Sequence, residues 1–138
     1  MAKKCALPVV VHARDAFCEA VEAIDASGVD WRRVVFHCFA EGADEMRAIL
    51  ERGGRASFTG TLTYKNAENV RAAAIAQGVG RLMLETDCPY LAPQPFRGKR
   101  NEPAFLRATL DFAVGLFGVP AAFLDEKTEE NTRAFFGI

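Results

Sequence analysis

Short apolar runs alternate along the chain with longer segments in which apolar residues recur every three or four positions. The short runs are bounded by polar or glycine residues, and most are rich in β-branched residues, which predicts buried strands. Four strands are predicted, at residues 7–12, 34–39, 55–59 and 82–84. Each strand is followed by enough chain for a crossover helix. This alternation predicts an α/β fold whose parallel strands are joined by right-handed connections.

The helices are predicted from apolar residues at helical spacing. In chain order, the three crossover helices are marked by Phe17, Val21 and Ile24, by Met46, Ile49 and Leu50, and by Val70, Ala73 and Ala74. Residues 88–101 contain too many prolines and glycines for regular structure and form a predicted loop. Pro103 then begins a helix. Gly118 and Pro120 separate this helix from a last helical segment, predicted to begin near Thr128.

Three of the predicted strands end in residue types that bind metals. His12 ends the first strand, His37 lies near the end of the second, and Glu85 and Asp87 follow the fourth on one face of the chain. The carboxyl ends of parallel strands meet at one edge, where imidazole and carboxylate groups assemble around zinc, manganese, iron or magnesium. A single histidine at a strand end is more often a structural polar residue. The only two histidines occupy corresponding places in successive units, which favours ligands.

One cluster of basic residues is predicted to lie near this edge. The formal net charge of −1 excludes a broadly basic surface, so any nucleic-acid contact must use a local patch. Arg97, Lys99 and Arg100 form one such patch in the loop after the acidic strand. Alternatively, these three residues simply form part of a solvated surface. Arg14, two residues after the first histidine, either contacts phosphate or pairs with Asp15.

The remaining composition predicts a single intracellular domain covering residues 1–138. No apolar segment reaches membrane-spanning length. The first residues are too polar for a signal peptide, which predicts a cytoplasmic location. No Cys-x-x-Cys pair occurs among the four cysteines, a pattern typical of reduced thiols. These cysteines are Cys5, Cys18, Cys38 and Cys88.

Several segments, in the same order, closely resemble the TatD family of metal-dependent deoxyribonucleases. They comprise residues 8–16, 36–39, 84–93 and 97–103, and the resemblance continues to residues 128–137. It implies a TIM-like barrel with a divalent metal at its C-terminal face and hydrolysis of phosphodiester bonds in DNA. The metal would be magnesium, manganese or zinc.

The resemblance also implies roles for individual residues. His12, His37 and Asp87 would be metal ligands, and Asp87 would also take a proton from the attacking water. Glu85 would be a neighbouring acid. The substrate-binding residues would be Arg14, Arg97, Lys99 and Arg100. Tyr90 and Phe96 would either stack on bases or pack the loop onto the barrel.

The predicted strands amount to half of such a barrel, since a TIM barrel has eight strands in typically about 250 residues. The chain corresponds to the carboxy-terminal half, without a counterpart of the half that brings a His-x-His pair and a glutamate. An alternative function is therefore an incomplete half-barrel that acts as an interaction module or needs a complementing partner. Exposed sheet edges predict a homo-oligomer or a complementing half-barrel. The competing fold is a small open sheet with helices on both faces.

Overall fold

A computed structural model describes residues 2–138 and contains four parallel strands. The strands are β1 (Val9–Val11), β2 (Val34–Phe36), β3 (Arg55–Phe58) and β4 (Met83–Leu84). Each lies inside a predicted strand and is shorter than predicted; β2, for example, ends at Phe36. At Cys38, two residues later, the backbone turns away with a φ of 48°, in the left-handed region.

In residues 2–138, six α-helices and four 3₁₀ turns surround the sheet. The helices are α1 (Ala2–Cys5), α2 (Phe17–Ser27), α3 (Ala43–Glu51), α4 (Glu68–Gln77), α5 (Leu106–Phe117) and α6 (Ala121–Phe136). The 3₁₀ turns are Trp31–Arg33, Gly60–Thr63, Val79–Arg81 and Pro103–Phe105. No single described helix has the length and apolar composition to cross a membrane; the segments Pro103–Phe117 and Ala121–Phe136 meet those criteria only as a pair bent by 112°.

The strands follow sequence order across the sheet, β1-β2-β3-β4, and all neighbouring pairs are parallel. Right-handed crossovers that all advance in one direction place their helices on one face of the sheet. Helices on both faces would require the strand order to reverse. The sheet is therefore half of a (β/α) barrel, as predicted, and the open two-sided sheet is wrong.

The main core lies between the sheet and its helices. Val34, Phe36, Ala56 and Phe58 point outward from the strands and are almost completely buried. They pack in one cluster with apolar residues of the helices, among them Val21, Ile24, Met46, Ile49, Val70, Ala73, Leu110 and Leu124. Burying one face of each strand and one stripe of each helix in this way fixes the strand ends in space.

The opposite, concave face of the sheet is called the inner face here. Val35 and Met83 on this face form a small separate cluster with Phe135 of α6. Beside them is a cavity of about 120 Å³, lined in part by Val10, Ser57 and other inner-face residues. The end of α6 is thus the only described helix segment packed in a buried cluster on the inner face.

The last helix begins earlier than predicted, at Ala121 and not near Thr128. Pro120 has the extended conformation of a residue that precedes a helix, and its carbonyl accepts a hydrogen bond from the Leu124 N–H at 3.0 Å. Leu124 is fully buried and anchors this first turn. The prediction placed too much weight on Pro120 as a breaker, whereas proline at this boundary also permits a helix to start.

Candidate active site

Two histidines and a carboxylate meet at the carboxyl edge of the sheet. His12 Nδ1 lies 3.0 Å from His37 Nε2, and His37 Nδ1 lies 3.5 Å from Glu85 Oε2. His12 is exposed, while the side chains of His37 and Glu85 are 20% and 28% exposed. The three side chains follow β1, β2 and β4 respectively. The edge therefore brings together residues from three strands that are far apart in sequence.

Backbone hydrogen bonds extend the sheet just far enough to position these side chains. The His37 N–H donates to the carbonyl of Val11 at 2.9 Å, and the Glu85 N–H donates to the carbonyl of Phe58 at 3.0 Å. Both residues therefore keep the strand alternation and face inward. The position of each functional side chain is a direct consequence of strand register.

Glu85 is held by two hydrogen bonds in addition to its contact with histidine. Its Oε1 accepts from the Cys38 N–H at 2.7 Å and from the Ser57 hydroxyl at 2.6 Å. Ser57 is buried on β3. Sequence reasoning missed Ser57, although a hydroxyl at an inner-face position of a buried strand is a usable signal. Because these two hydrogen bonds hold the Glu85 carboxylate in place, its contact with His37 Nδ1 fixes the orientation of the His37 ring.

Asp87 lies beside this cluster without joining it. In the described part of the chain, its carboxylate makes no hydrogen bond or ion pair. Burial is the main cause that raises the pKa of the Cys38 thiol, and the negative charges of Asp87 and Glu85 raise that pKa further. Asp87 is therefore close to Cys38. In the described residues, the Asp87 carboxylate thus has no hydrogen-bond partner, whereas the Glu85 carboxylate accepts two hydrogen bonds.

The donor set suits a divalent metal ion. Within residues 2–138, no three His, Cys, Asp or Glu side chains are grouped closely enough to hold a metal as they stand. The 3.0 Å separation of the two imidazole nitrogens is nevertheless close to that of two ligands at about 2.0–2.1 Å from one ion. Neutral imidazoles with adjacent carboxylates are also ordinary ligands for such ions. The spacing of the two imidazole nitrogens therefore fits two ligands of one ion, with a carboxylate nearby.

The basic loop is anchored beside the site. Asn101, which is buried, donates its backbone N–H to the Pro89 carbonyl at 3.0 Å and its side-chain amide to the Tyr90 carbonyl at 2.6 Å. At Gly60, an added Cβ would lie 2.5 Å from the carbonyl oxygen of Leu91. Only glycine allows this close approach. Sequence reasoning missed both anchors.

Aromatic rings support two of the three cations in the loop. The Arg97 guanidinium lies over the ring of Tyr64 at 4.2 Å, and the Lys99 ammonium lies 5.9 Å from the ring of Phe96. Phe96 itself stacks on Phe105 at 3.9 Å, so this ring packs within the protein. Arg97, Lys99 and Arg100 are exposed, and none pairs with a carboxylate in residues 2–138. Their charges are available to an anion.

Two further residues near the site are exposed. Arg14 does not pair with Asp15 in the described structure, and its positive charge lowers the pKa of the Cys38 thiol against the effect of burial. Arg14 is therefore near the same edge and is not engaged in the predicted alternative contact. Tyr90, three residues after Asp87, has 70% of its surface exposed. Neither side chain is needed for packing.

A (β/α) half-barrel with histidines and carboxylates at its carboxyl edge defines a fold class shared by known proteins. The chain matches the family described as TatD related DNase over residues 1–137, and it belongs to that family. It is 39% identical over 131 residues to the uncharacterized metal-dependent hydrolase YcfH of Escherichia coli K12, covering 95% of this chain and 49% of that protein. It is 33% identical to the uncharacterized metal-dependent hydrolase YabD of Bacillus subtilis, covering 100% and 54%.

Solved structures show the same fold. The TatD homologue YJJV from Escherichia coli superimposes with a TM-score of 0.90 at 25% identity, covering 99% of this chain and 52% of that one. A TatD-family hydrolase from Entamoeba histolytica gives a TM-score of 0.86 at 19% identity, covering 98% and 52%. The predicted family and barrel-type fold are confirmed. The chain spans about half the length of the curated relatives it matches.

Proposed function

We propose that this chain is a metal-dependent hydrolase that cleaves phosphodiester bonds in DNA. The main support is the pair of imidazole nitrogens of His12 and His37, which lie 3.0 Å apart at the carboxyl edge of a parallel sheet. The Glu85 carboxylate lies beside them. The relatives are named metal-dependent hydrolases, and the family description is a DNase. Both descriptions support this chemistry.

The residues divide into ligands and a positioning residue. His12, His37 and Asp87 would hold a magnesium, manganese or zinc ion. Such an ion lowers the pKa of water from about 15.7 toward about 7 and neutralises charge on the phosphate oxygens. Asp87 would accept the proton of the attacking water because, of the two acids that follow β4, it is the one whose carboxylate has no hydrogen-bond partner in the described residues. Glu85 orients His37.

The four exposed cations supply the substrate contacts. Arg14, Arg97, Lys99 and Arg100 would bind the phosphate backbone, which positions DNA without reading its sequence. The rings of Tyr64 and Phe96 hold two of these cations in place. Because the chain as a whole carries a net charge of −1, DNA would be attracted to this edge and not to the rest of the surface.

A second candidate function rests on the open sheet. β1 and β4 are edge strands, and the chain spans about half the length of its relatives. An incomplete half-barrel would then act as an interaction module, or would gain activity with a partner. The partner would be a second copy in a homo-oligomer or a complementing half-barrel, since each covers the unpaired strand edges.

We also propose a cytoplasmic location. The four cysteines are all free, and three of them are exposed: Cys5, Cys18 and Cys88. Exposed unpaired thiols are typical of a reducing compartment. Measuring the redox state of these thiols in cells by trapping with an alkylating reagent tests this location, and a disulfide-linked population would contradict it.

The function is tested by hydrolysis of single-stranded DNA by the purified chain with added magnesium, manganese or zinc. We expect metal-dependent cleavage that falls at least about 100-fold in His37→Ala, since loss of a ligand removes the metal's contribution. Glu126→Ala, an exposed substitution on α6, should cleave normally. Equal cleavage by His37→Ala would contradict the assignment. Absence of cleavage by the folded chain would favour the interaction module.

A further inference from the structure

A tyrosine links the loop after β3 to the basic loop beside the candidate active site. Tyr64 follows the 3₁₀ turn Gly60–Thr63, and its hydroxyl donates a hydrogen bond to the carbonyl of Ala92 at 3.0 Å. The guanidinium of Arg97 lies over the same ring, 4.2 Å from its centre. One side chain therefore ties the two loops together and supports a cation on its face.

The backbone around Tyr64 is fixed by contacts from both sides. Arg71 of α4 donates to the carbonyls of Tyr64 and Lys65 at 2.6 and 3.2 Å. The hydroxyl of Thr63, which is buried, accepts from the Gln94 N–H of the basic loop at 2.9 Å. Because the backbone is already ordered, less conformational entropy is lost when side chains of this segment bind a ligand.

This segment begins at the candidate active site. Thr59 directly follows β3 and is fully buried, and its hydroxyl oxygen lies 3.5 Å from the sulfur of Cys38, whose N–H donates to Glu85. Burial is the main cause that raises the pKa of Tyr64; the charge of Arg97 lowers that pKa, and the charge of Cys38 raises it. The tyrosine is therefore close both to the cation and to the site.

Lys65, the residue after the tyrosine, carries a charge that nothing in the described structure neutralises. Its side chain is exposed, and within residues 2–138 neither its ammonium nor the Arg97 guanidinium forms an ion pair or a hydrogen bond. The Cα atoms of Tyr64 and Lys65 are about 3.8 Å apart. An exposed lysine is usually only solvated, but this one lies on a fixed backbone beside the ring that supports a second cation.

A phosphate of a nucleic-acid strand suits this arrangement. Lysine binds phosphate as a compact charge, and arginine binds it through several N–H donors. The segment starts at Thr59 and leads away from the metal-binding residues. A phosphate held by Lys65 and Arg97 would therefore lie next to the phosphate that is cleaved and would be a different one.

We propose that Lys65 is a further substrate-binding residue and that Tyr64 is the positioning residue of Arg97, so that Lys65 and Arg97 bind a phosphate flanking the cleaved one. These three residues are called the phosphate clamp. The inference rests on the proposed function, because it assigns a second subsite to the same site. It implies that the preferred substrate is a nucleotide chain with more than one phosphate, and not an isolated diester.

The first test measures binding without a metal ion and without cleavage. Fluorescence anisotropy of a labelled oligothymidylate is followed in EDTA at several salt concentrations. Lys65→Ala should raise the dissociation constant about fivefold at about 0.1 M salt and reduce the salt slope by about 0.7, the value for one contact to a single strand. Lys127→Ala, which removes the same charge from α6, should bind like the unaltered chain.

The role of the ring is tested with a cycle of variants. Tyr64→Phe keeps the aromatic face and should retain most of the binding, whereas Tyr64→Leu should weaken it. In an Arg97→Ala background, Tyr64→Leu should have no further effect, because the ring acts through Arg97. Additive losses would overturn the proposal. So would unchanged binding by Lys65→Ala, an equal loss in Lys127→Ala, or the absence of salt-dependent binding by the unaltered chain.

Hydrolysis then separates the phosphate clamp from the metal site. With added manganese, Lys65→Ala should raise KM for the oligothymidylate several-fold while kcat stays within about twofold. Bis(p-nitrophenyl) phosphate has only the phosphate that is cleaved, so its kcat/KM should not change. Equal losses on the two substrates would overturn the proposal. Absence of hydrolysis of both by the folded chain would contradict the proposed function alone, because the binding test contains no metal ion.

Discussion

At the scale of single residues, Glu85 determines how the site is held together. Its carboxylate accepts from the Cys38 N–H and the Ser57 hydroxyl and also faces His37. Glu85→Ala leaves two donors without an acceptor in a partly buried position. We expect the free energy of unfolding to fall by about 1–3 kcal/mol, measured by urea denaturation followed by circular dichroism.

The matched control is Glu126→Ala, which removes an exposed glutamate in the first half of α6 and should change stability by less than about 0.5 kcal/mol. Glu85→Gln keeps one acceptor oxygen and should lie between the two. If Glu85→Ala were as stable as the unaltered chain, the Cys38 and Ser57 contacts would not contribute to folding.

The residues of the site were predictable in kind but not in arrangement. Alternation along strands and the shared edge of a parallel sheet are enough to bring His12 and His37 together, and the structure places their nitrogens 3.0 Å apart. The same reasoning put Glu85 and Asp87 on one face but could not say which acid reaches a histidine. That depends on the left-handed turn at Cys38, which aims its N–H at Glu85.

At the scale of secondary-structure elements, a buried glutamine joins α4 to the sheet. The Gln77 side-chain oxygen accepts from the Ala56 N–H at 2.6 Å, and its amide donates to the carbonyls of Ala56 and Arg81 at 2.8 and 3.0 Å. Gln77→Leu fills the space but leaves these backbone groups unpaired. The free energy of unfolding should fall by at least about 2 kcal/mol, measured by thermal and urea unfolding.

The comparison for this change is Gln94→Leu, at an exposed position in the proline-rich loop. Its side chain makes no hydrogen bond in the described structure, so stability should stay within about 0.5 kcal/mol of the unaltered chain. Equal losses in the two variants would mean that the cost comes from leucine itself and not from the broken link between α4 and β3.

The last helix is tied to the sheet by one asparagine. The Asn131 amide donates to the carbonyls of Val79 and Leu82, both at 2.9 Å, just before β4. Asn131→Ala should lower stability by about 1–2 kcal/mol and speed hydrogen exchange of the α6 amides more than those of α3. Glu126→Ala on the same helix serves as the control. Uniform acceleration throughout the chain would instead indicate global destabilisation.

Elements were predictable where apolar spacing and breakers agreed. For α2, apolar spacing from Phe17 and the Ser27-Gly28 end signal match the observed helix, and Gly28 adopts the left-handed C-terminal conformation. For α6, the stripe is weaker because the first turns combine Leu124 with charged residues, and Pro120 suggested a break. The helix forms from Ala121 because Leu124 is buried against the core. Tertiary burial overrides local pattern there.

At the scale of the whole molecule, strand order was predictable, because four successive βα units with right-handed crossovers favour sequential pairing. The side chains that meet on the inner face were not predictable from the sequence. Its content depends on which side chains the register brings level, such as Ser57 and Met83, and on the end of α6, where Phe135 packs against Val35 and Met83. These contacts join residues far apart in the sequence, so no short-range sequence pattern indicates them.

The whole-molecule prediction joins metal binding to assembly. The proposed ligands His12, His37 and Asp87 would offer three donors, while a bound zinc ion takes four ligands, so a complementing half that adds a ligand should raise zinc affinity. Linkage then requires zinc to tighten the association of the two halves by the same factor, of about tenfold or more.

Titrating zinc by calorimetry, with and without the partner, and measuring association before and after EDTA test this reciprocity. His12→Ala should abolish it, whereas Arg47→Gln should not. A factor of one in both measurements would show that the metal and the partner bind independently.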